Sequence, residues 1–283
     1  MPFHTSQKLA FLSLLPTIFS SPLPNAQVNS NAIPKSTNTT AMAQAAALSA
    51  SQKTSVTSSS TSSSQINGLL AAASMAPIIN MKVQVISGSL TIFEQGIATA
   101  LNVGITASDT ACSPMMVIFA RGTTEPGNVG LFAGPPFFKA LEEKMGSGTV
   151  GVQGVEYEAS VTGFLQGGDA KGSAAMATLA ESTIKKCPNS KIVMSGYSQG
   201  CLLVRNAAAM LPAATMAKVN SVVMFGDPRD GKPVTNYDAA KTLVVCHALD
   251  NICAGGDLIL IDHLTYSGDA VSAAAFASSH AKA

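Results

Sequence analysis

Ile192-Val193-Met194-Ser195-Gly196-Tyr197-Ser198-Gln199-Gly200 joins a short apolar run to the pattern Gly-x-Ser-x-Gly. The spacing is that of a nucleophile elbow, in which a serine sits on a strained turn between a strand and a helix. Glycines two residues to either side let the backbone bend and let the following helix pack closely. The flanks suit this context, because 191–195 reads as a buried strand and 201–211 is an apolar helical run stopped by Pro212. Ser198 would then be lifted clear of a sheet, and the chemistry implied is that of a serine hydrolase. In a chain with 23 glycines the pentapeptide also arises by chance, as an ordinary Gly-rich turn.

A serine nucleophile needs a histidine to take its proton and an acid to hold that histidine in the right tautomer. On this fold the chain order is Ser, then Asp or Glu, then His. There are four histidines. His4 falls in an N-terminal targeting segment, His247 leaves little room for an acid before it, and His280 is three residues from the C-terminus. His263 remains as the base. Asp227, Asp230, Asp238, Asp250, Asp257 and Asp262 all lie between Ser198 and His263. Asp250 follows the strand-like run 242–246 on a loop bracketed by Cys246 and Cys253, where an α/β-hydrolase carries its acid. A disulfide there would close a small ring that fixes the acid. Asp257 and Asp262 are the runners-up, and Asp227 reads as a turn residue after the strand 221–225.

Taken together, these residues resemble the cutinases and cutinase-like serine esterases of fungi, over about residues 110–270. Ala120-Arg121-Gly122-Thr123-Thr124-Glu125-Pro126-Gly127-Asn128 looks like that family's oxyanion-loop motif, and Gly196 to Gly200 is its nucleophile pentapeptide. Cys246 to Cys253 with Asp250 inside, then Asp262-His263-Leu264-Thr265-Tyr266, resembles its closing segment, including the thirteen-residue step from Asp250 to His263. The resemblance implies a triad of Ser198, Asp250 and His263. It also implies an oxyanion hole from the backbone amide of Gln199 and from Thr123, which stands where the best-known members have serine. The bridges it implies are Cys112 with Cys187 and Cys246 with Cys253, with Cys201 left as a buried thiol. From sequence alone, five cysteines allow fifteen ways of forming two bridges. The loops around such a site are expected to form an open apolar rim without a large lid. They are Val155 to Gln166 and Leu258-Ile259-Leu260-Ile261, and the second reads equally as a strand buried in the core. Arg121 and Glu125 are expected to be structural, through a strand-ending turn with a salt bridge between them.

The alternation of elements agrees with a three-layer α/β-hydrolase fold. Strand-like runs at 115–120, 149–157, 191–195, 221–225 and 242–246 interleave with helical stretches at 136–145, 171–186, 201–211 and 270–283. That pattern implies a central parallel sheet with helices on both faces. One catalytic domain at 111–283 is enough for a sizeable core. Lys8 and the apolar stretch Leu9 to Phe19 read as a signal peptide at about 1–20, too short to span a bilayer. Residues 21–64 read as a disordered linker or stalk, since eleven of the fourteen residues from Ser51 to Ser64 are Ser or Thr. Asn38-Thr39-Thr40 is an N-glycosylation acceptor there. Residues 65–110 read as a pro-region or an amphipathic hairpin laid on the domain.

Cysteine usage without Cys-x-x-Cys, and with few histidines, points to an oxidising compartment and argues against a metal site. Seventeen basic against sixteen acidic residues exclude an electrostatic case for nucleic acid and suit a neutral ester substrate. The expectation is a secreted, monomeric esterase with no cofactor and no transmembrane segment, acting on cutin-like polyesters and short-to-medium acyl esters. The alternatives are an acetylxylan esterase and a non-catalytic secreted surface protein on a hydrolase fold.

Overall fold

The computed structural model describes residues 81–281. The expected signal peptide, the Ser/Thr-rich linker, the Asn38 acceptor and residues 65–80 of the N-terminal extension lie outside the described residues. In chain order the elements are β1 (Met81–Lys82), α1 (Val83–Leu101), β2 (Met115–Ala120), α2 (Gly134–Met145), β3 (Val150–Gly154), α3 (Val161–Leu165), α4 (Ala170–Lys186), β4 (Lys191–Tyr197), α5 (Gln199–Met210), α6 (Ala213–Met216), β5 (Val219–Phe225), β6 (Thr242–Val245), β7 (Leu258–Ile259) and α7 (Ala270–Ser279).

Five strands form one parallel sheet in the order β3-β2-β4-β5-β6. Parallel neighbours require crossovers, and the crossover helices cover both faces, so the central strands are apolar throughout. In β2 every residue is buried. Met115, Val117 and Phe119 point into a core shared with α2 and α7, while Met116, Ile118 and Ala120 point into a second core under α4 and α5. That division follows from the period of two along a strand.

Several boundaries differ from those read in the sequence, and three of them bear on the site. β3 ends at Gly154 rather than at residue 157, because Arg121 claims the continuation. Its Nη2 donates to the Tyr157 carbonyl at 2.8 Å and its guanidinium lies 4.9 Å from the Tyr157 ring centre. β4 runs on to Tyr197, directly into the elbow. β6 ends at Val245 and is only half-buried, as one of the sheet's two edge strands.

Two disulfides pin this frame. Cys112–Cys187 ties the chain just before β2 to the end of α4 across a sequence separation of 75, and Cys246–Cys253 closes a separation of 7. By loop-closure entropy the first is worth about 4.5 kcal/mol and the second about 2.5 kcal/mol. A Cys112→Ala/Cys187→Ala double variant is therefore expected to lose several kcal/mol in denaturant unfolding and to keep its catalytic geometry, since neither cysteine touches the site. A loss below about 1 kcal/mol would contradict the long-loop argument.

Candidate active site

The elbow is built by close approach. A Cβ on Gly200 would meet the Ala120 carbonyl oxygen at 2.0 Å, and one on Gly196 would meet the Gly200 carbonyl carbon at 2.5 Å. Only glycine lets α5 start this near to β2 and β4. Ser198, between them, is held at φ 54°, ψ −119°, a conformation that a non-glycine residue adopts only when its surroundings enforce it. Its amide donates to the Phe225 carbonyl at 2.9 Å, which fastens the turn to the end of β5.

From there a continuous hydrogen-bonded chain runs through three side chains. His263 Nε2 lies 2.9 Å from Ser198 Oγ, and His263 Nδ1 lies 2.8 Å from Asp250 Oδ2. A carboxylate can only accept, so Nδ1 carries the proton and Nε2 is left as the acceptor facing the serine hydroxyl. Asp250 Oδ1 accepts from the Ile252 amide at 2.9 Å, and Oδ2 also accepts from the Tyr266 hydroxyl at 2.6 Å. Burial alone would raise the Asp250 carboxyl. The hydrogen bond and charge of His263, the Tyr266 hydroxyl and the Ile252 amide together outweigh it and hold the group below its ordinary 3.8. The acid is thus fixed in its ionised form, as orienting a histidine demands.

The oxyanion loop follows β2. Thr123 Oγ1 accepts from the Gln199 side-chain amide at 2.9 Å, and the same amide also donates to the Ser160 carbonyl at 2.9 Å. Because it accepts in that bond, the Thr123 hydroxyl keeps its own hydrogen to donate. Thr123 shares a cavity with Ser198 and His263. The loop itself is organised by Glu125, whose carboxylate accepts from the amides of Gly122 at 2.7 Å, Leu131 at 2.8 Å and Phe132 at 3.0 Å. The expected Arg121–Glu125 salt bridge does not form. Arg121 reaches the Glu125 backbone carbonyl instead, at 2.7 Å, because the carboxylate already has three backbone donors.

Helix α1 lies over this site. Val83, Ile86, Leu90 and Glu94, spaced three or four residues apart on one face, line the cavity with Ser198 and His263, opposite Ile259 and Leu264. Among the described residues no large lid domain is inserted, but the open rim read from sequence is replaced by this helix. Ser198 is 4 % exposed and His263 2 %. Residues 81–101 form a short strand, β1, which pairs antiparallel with β7, followed by helix α1. Leu258 and Ile259 serve both expected roles at once, since they form that strand and Ile259 lines the cavity.

The structure brings Ser198, Asp250, His263, Thr123 and Gln199 together and keeps the other candidates apart. Asp257 pairs with Lys82 at 3.4 Å. Asp227 makes the expected turn by accepting from the Arg229 amide, and also forms a buried ion pair with Arg205, at 2.8 Å from Nε. His247 contacts Asp269 Oδ2 at 2.8 Å and the Asp262 carbonyl at 2.7 Å. Cys201 is a free, buried thiol, pushed well up by burial and so inert. No group of metal-ligating side chains occurs among the described residues.

Sequence reasoning missed Tyr266 as a functional residue. Its ring stacks on His247 with centroids 4.2 Å apart, and this aims the hydroxyl at Asp250. Replacing it with phenylalanine removes one of the donors that hold Asp250 low, so the carboxyl should move up toward 3.8. A carboxyl depressed in the fold contributes stability above its unfolded value that is lost as pH falls through the depressed one. In Tyr266→Phe that contribution should shrink. The variant should also lose about tenfold in kcat with KM little changed, as removal of a hydrogen bond to a charged group implies. An unaltered kcat with an unaltered acid limb of stability would refute the positioning role.

Comparison with known proteins agrees with this geometry. The cutinase family model matches residues 111–281. The chain is 64 % identical over 203 residues to a cutinase of Pyrenopeziza brassicae, covering 72 % of this chain and all of that protein. It is 57 % identical over 166 residues to a cutinase of Botryotinia fuckeliana, covering 59 % of this chain and 82 % of that one. Among solved structures, Trichoderma reesei cutinase in complex with a phosphonate inhibitor superposes with a TM-score of 0.66 at 46 % identity, over 77 % of this chain and 99 % of that one. With a serine, histidine and aspartate in one hydrogen-bonded line on a parallel α/β sheet, and relatives of this identity, the chain belongs to the cutinase family of carboxylic ester hydrolases.

Proposed function

We propose that the protein is a secreted esterase that cleaves the ester bonds of cutin and of short-to-medium acyl esters through an acyl-enzyme on Ser198. The observation that carries this reading is the unbroken line from Ser198 Oγ to His263 to Asp250, at 2.9 and 2.8 Å. His263 Nε2 takes the hydroxyl proton as Oγ attacks the ester carbonyl, then delivers it to the departing alcohol. A water then attacks the acyl carbon while giving a proton to the same nitrogen, and that proton passes to Ser198 Oγ as its bond to the acyl group breaks and the acid leaves. Charge on the tetrahedral oxygen is met by the Thr123 hydroxyl and the Gln199 amide at the start of α5, where the helix dipole adds to them.

Secretion is supported by the apolar stretch after Lys8 and by two disulfides. Among the described residues no helix is long and apolar enough to cross a membrane. The apolar side chains of Ile259 and Leu264 beside Ser198 support an acyl chain over a sugar as the bound group.

The test is hydrolysis of p-nitrophenyl acetate, butyrate and palmitate beside cutin and acetylated xylan. Preference for butyrate over acetate with monomer release from cutin supports the proposal. Acetate-only activity with deacetylation of xylan would replace it with the carbohydrate esterase, and no hydrolysis at all would leave the non-catalytic reading.

A further inference from the structure

Helix α1 carries one charged residue, Glu94, and the structure buries it completely. It occupies the place in the stripe Val83, Ile86, Leu90, Glu94, Ile97 where the helical period asks for an apolar side chain. Neither carboxyl oxygen has a hydrogen-bond partner among the described residues. The cavity it lines with Ser198 measures about 20 Å³, the room of a single water. No ester reaches the serine until α1 moves.

The helix is weak on its own. It contains two glycines, Gly88 and Gly96, and seven β-branched residues among its 19, so it has little intrinsic helicity and depends on its buried stripe. Its fastenings are mostly terminal. At the start, the Val83 amide donates to the Asp257 carbonyl at 2.9 Å beside the β1–β7 pair. At the end, Asn102 closes the helix in the left-handed region, and the Ile105 carbonyl accepts from Asn128 at 3.0 Å. Between them, Thr91 Oγ1 donates to the Thr124 carbonyl at 3.0 Å.

We propose that Glu94 is a latch that makes the opening of the active site pH-dependent: protonated, it lets α1 seat over Ser198, and ionised, it drives the helix off. The inference rests on the esterase reading only for the meaning of the site that is uncovered. The groups facing Glu94 are Glu125 from the oxyanion loop, Tyr197 and Ser198 from the end of β4, and His263 from the turn after β7. Among the described residues no lysine or arginine lines this cavity. Burial first, and then the negative charge of Glu125, raise the Glu94 carboxyl well above its ordinary 4.5. A carboxyl raised in the seated state favours seating fully below its exposed value. That advantage is lost as pH rises toward the seated value. The site therefore opens on going from acid to neutral and alkaline pH.

Hydrogen exchange of the α1 amides in the intact protein, without substrate, tests this. Once lifted, so weak a helix melts, and exchange reports the lifting. After correction for intrinsic rates, protection of α1 relative to α5 should fall between about pH 5 and about pH 8, by up to about tenfold per unit separating the seated and exposed values. In Glu94→Gln and in Glu94→Leu it should stay constant. The leucine variant keeps the stripe apolar should the buried amide disturb it. At about pH 8 Glu94→Leu should also hydrolyse soluble butyrate more slowly than the wild type, because its site stays covered. The same fall in both variants, or no fall in the wild type, overturns the latch. Exchange needs no catalysis, so this outcome is independent of whether Ser198 is the nucleophile.

Discussion

Replacing Ser198 with alanine should lower kcat on p-nitrophenyl butyrate by about 10⁴ to 10⁶, equivalent to roughly 5.5 to 8 kcal/mol of barrier. The loss is large because the covalent route disappears. His263 Nε2, which now lies 2.9 Å from the hydroxyl, would have only water to activate. What survives is the contribution of the oxyanion donors and of binding, typically about 10³ to 10⁴ over water. The fold should survive as well, because alanine replaces serine in the same backbone conformation and removes a single hydrogen bond, a change of about 1 kcal/mol or less. A phosphonate should add its mass to the wild type and not to the variant. A variant within about a hundredfold of the wild type would remove Ser198 from its role.

The sheet and the elbow were legible because their sequence patterns answer to strict physical demands. A parallel strand buried on both faces must be apolar throughout, and 115–120 is. The glycines at 196 and 200 have no substitute where backbone meets backbone at 2.0 to 2.5 Å from any Cβ. His263 was reached by order and elimination among few histidines, and Asp250 by its place on the loop after 242–246; the structure sets the two 2.8 Å apart.

The cover was not legible, for equally physical reasons. Residues 83–101 contain Glu94 on the inner face and two glycines, both contrary to the signature of a packed amphipathic helix. The surface that overrides them, Ile259 and Leu264, lies more than 150 residues further on. Tyr266 stayed hidden because its role depends on a hydroxyl direction set by stacking on His247, which no spacing encodes. The Arg121–Glu125 pair misled because neighbouring opposite charges suggest each other, whereas three loop amides converge on Glu125 and leave Arg121 to Tyr157.

Replacing Asp250 with asparagine should lower kcat by about 10⁴ while leaving KM nearly unchanged. All the hydrogen bonds at this carboxylate are ones it accepts: Ile252 at Oδ1, and His263 and Tyr266 at Oδ2. An asparagine has one oxygen and one amide group to offer. If its oxygen stays with the Ile252 amide, its NH₂ faces His263 Nδ1, which must then accept. The imidazole proton moves to Nε2, where it confronts the Ser198 hydroxyl and the base is lost. If the amide flips, Nδ1 keeps its acceptor but two donors meet at Ile252, a buried clash costing roughly 1 to 3 kcal/mol. The His263 backbone is held in either case, since its carbonyl accepts from the Tyr197 hydroxyl at 2.7 Å and the two rings stack 5.1 Å apart. The defect is thus one of tautomer and not of position, and a crystal structure of the variant should show His263 unmoved. Asp250 is depressed in the fold, so its stabilisation is present above about 3.8 and disappears as pH falls through the lowered value. The asparagine variant should be less stable than the wild type at neutral pH and should lack that part of the acid-induced decline. A variant with kcat within about tenfold of the wild type would show that His263 does not depend on Asp250 for its proton.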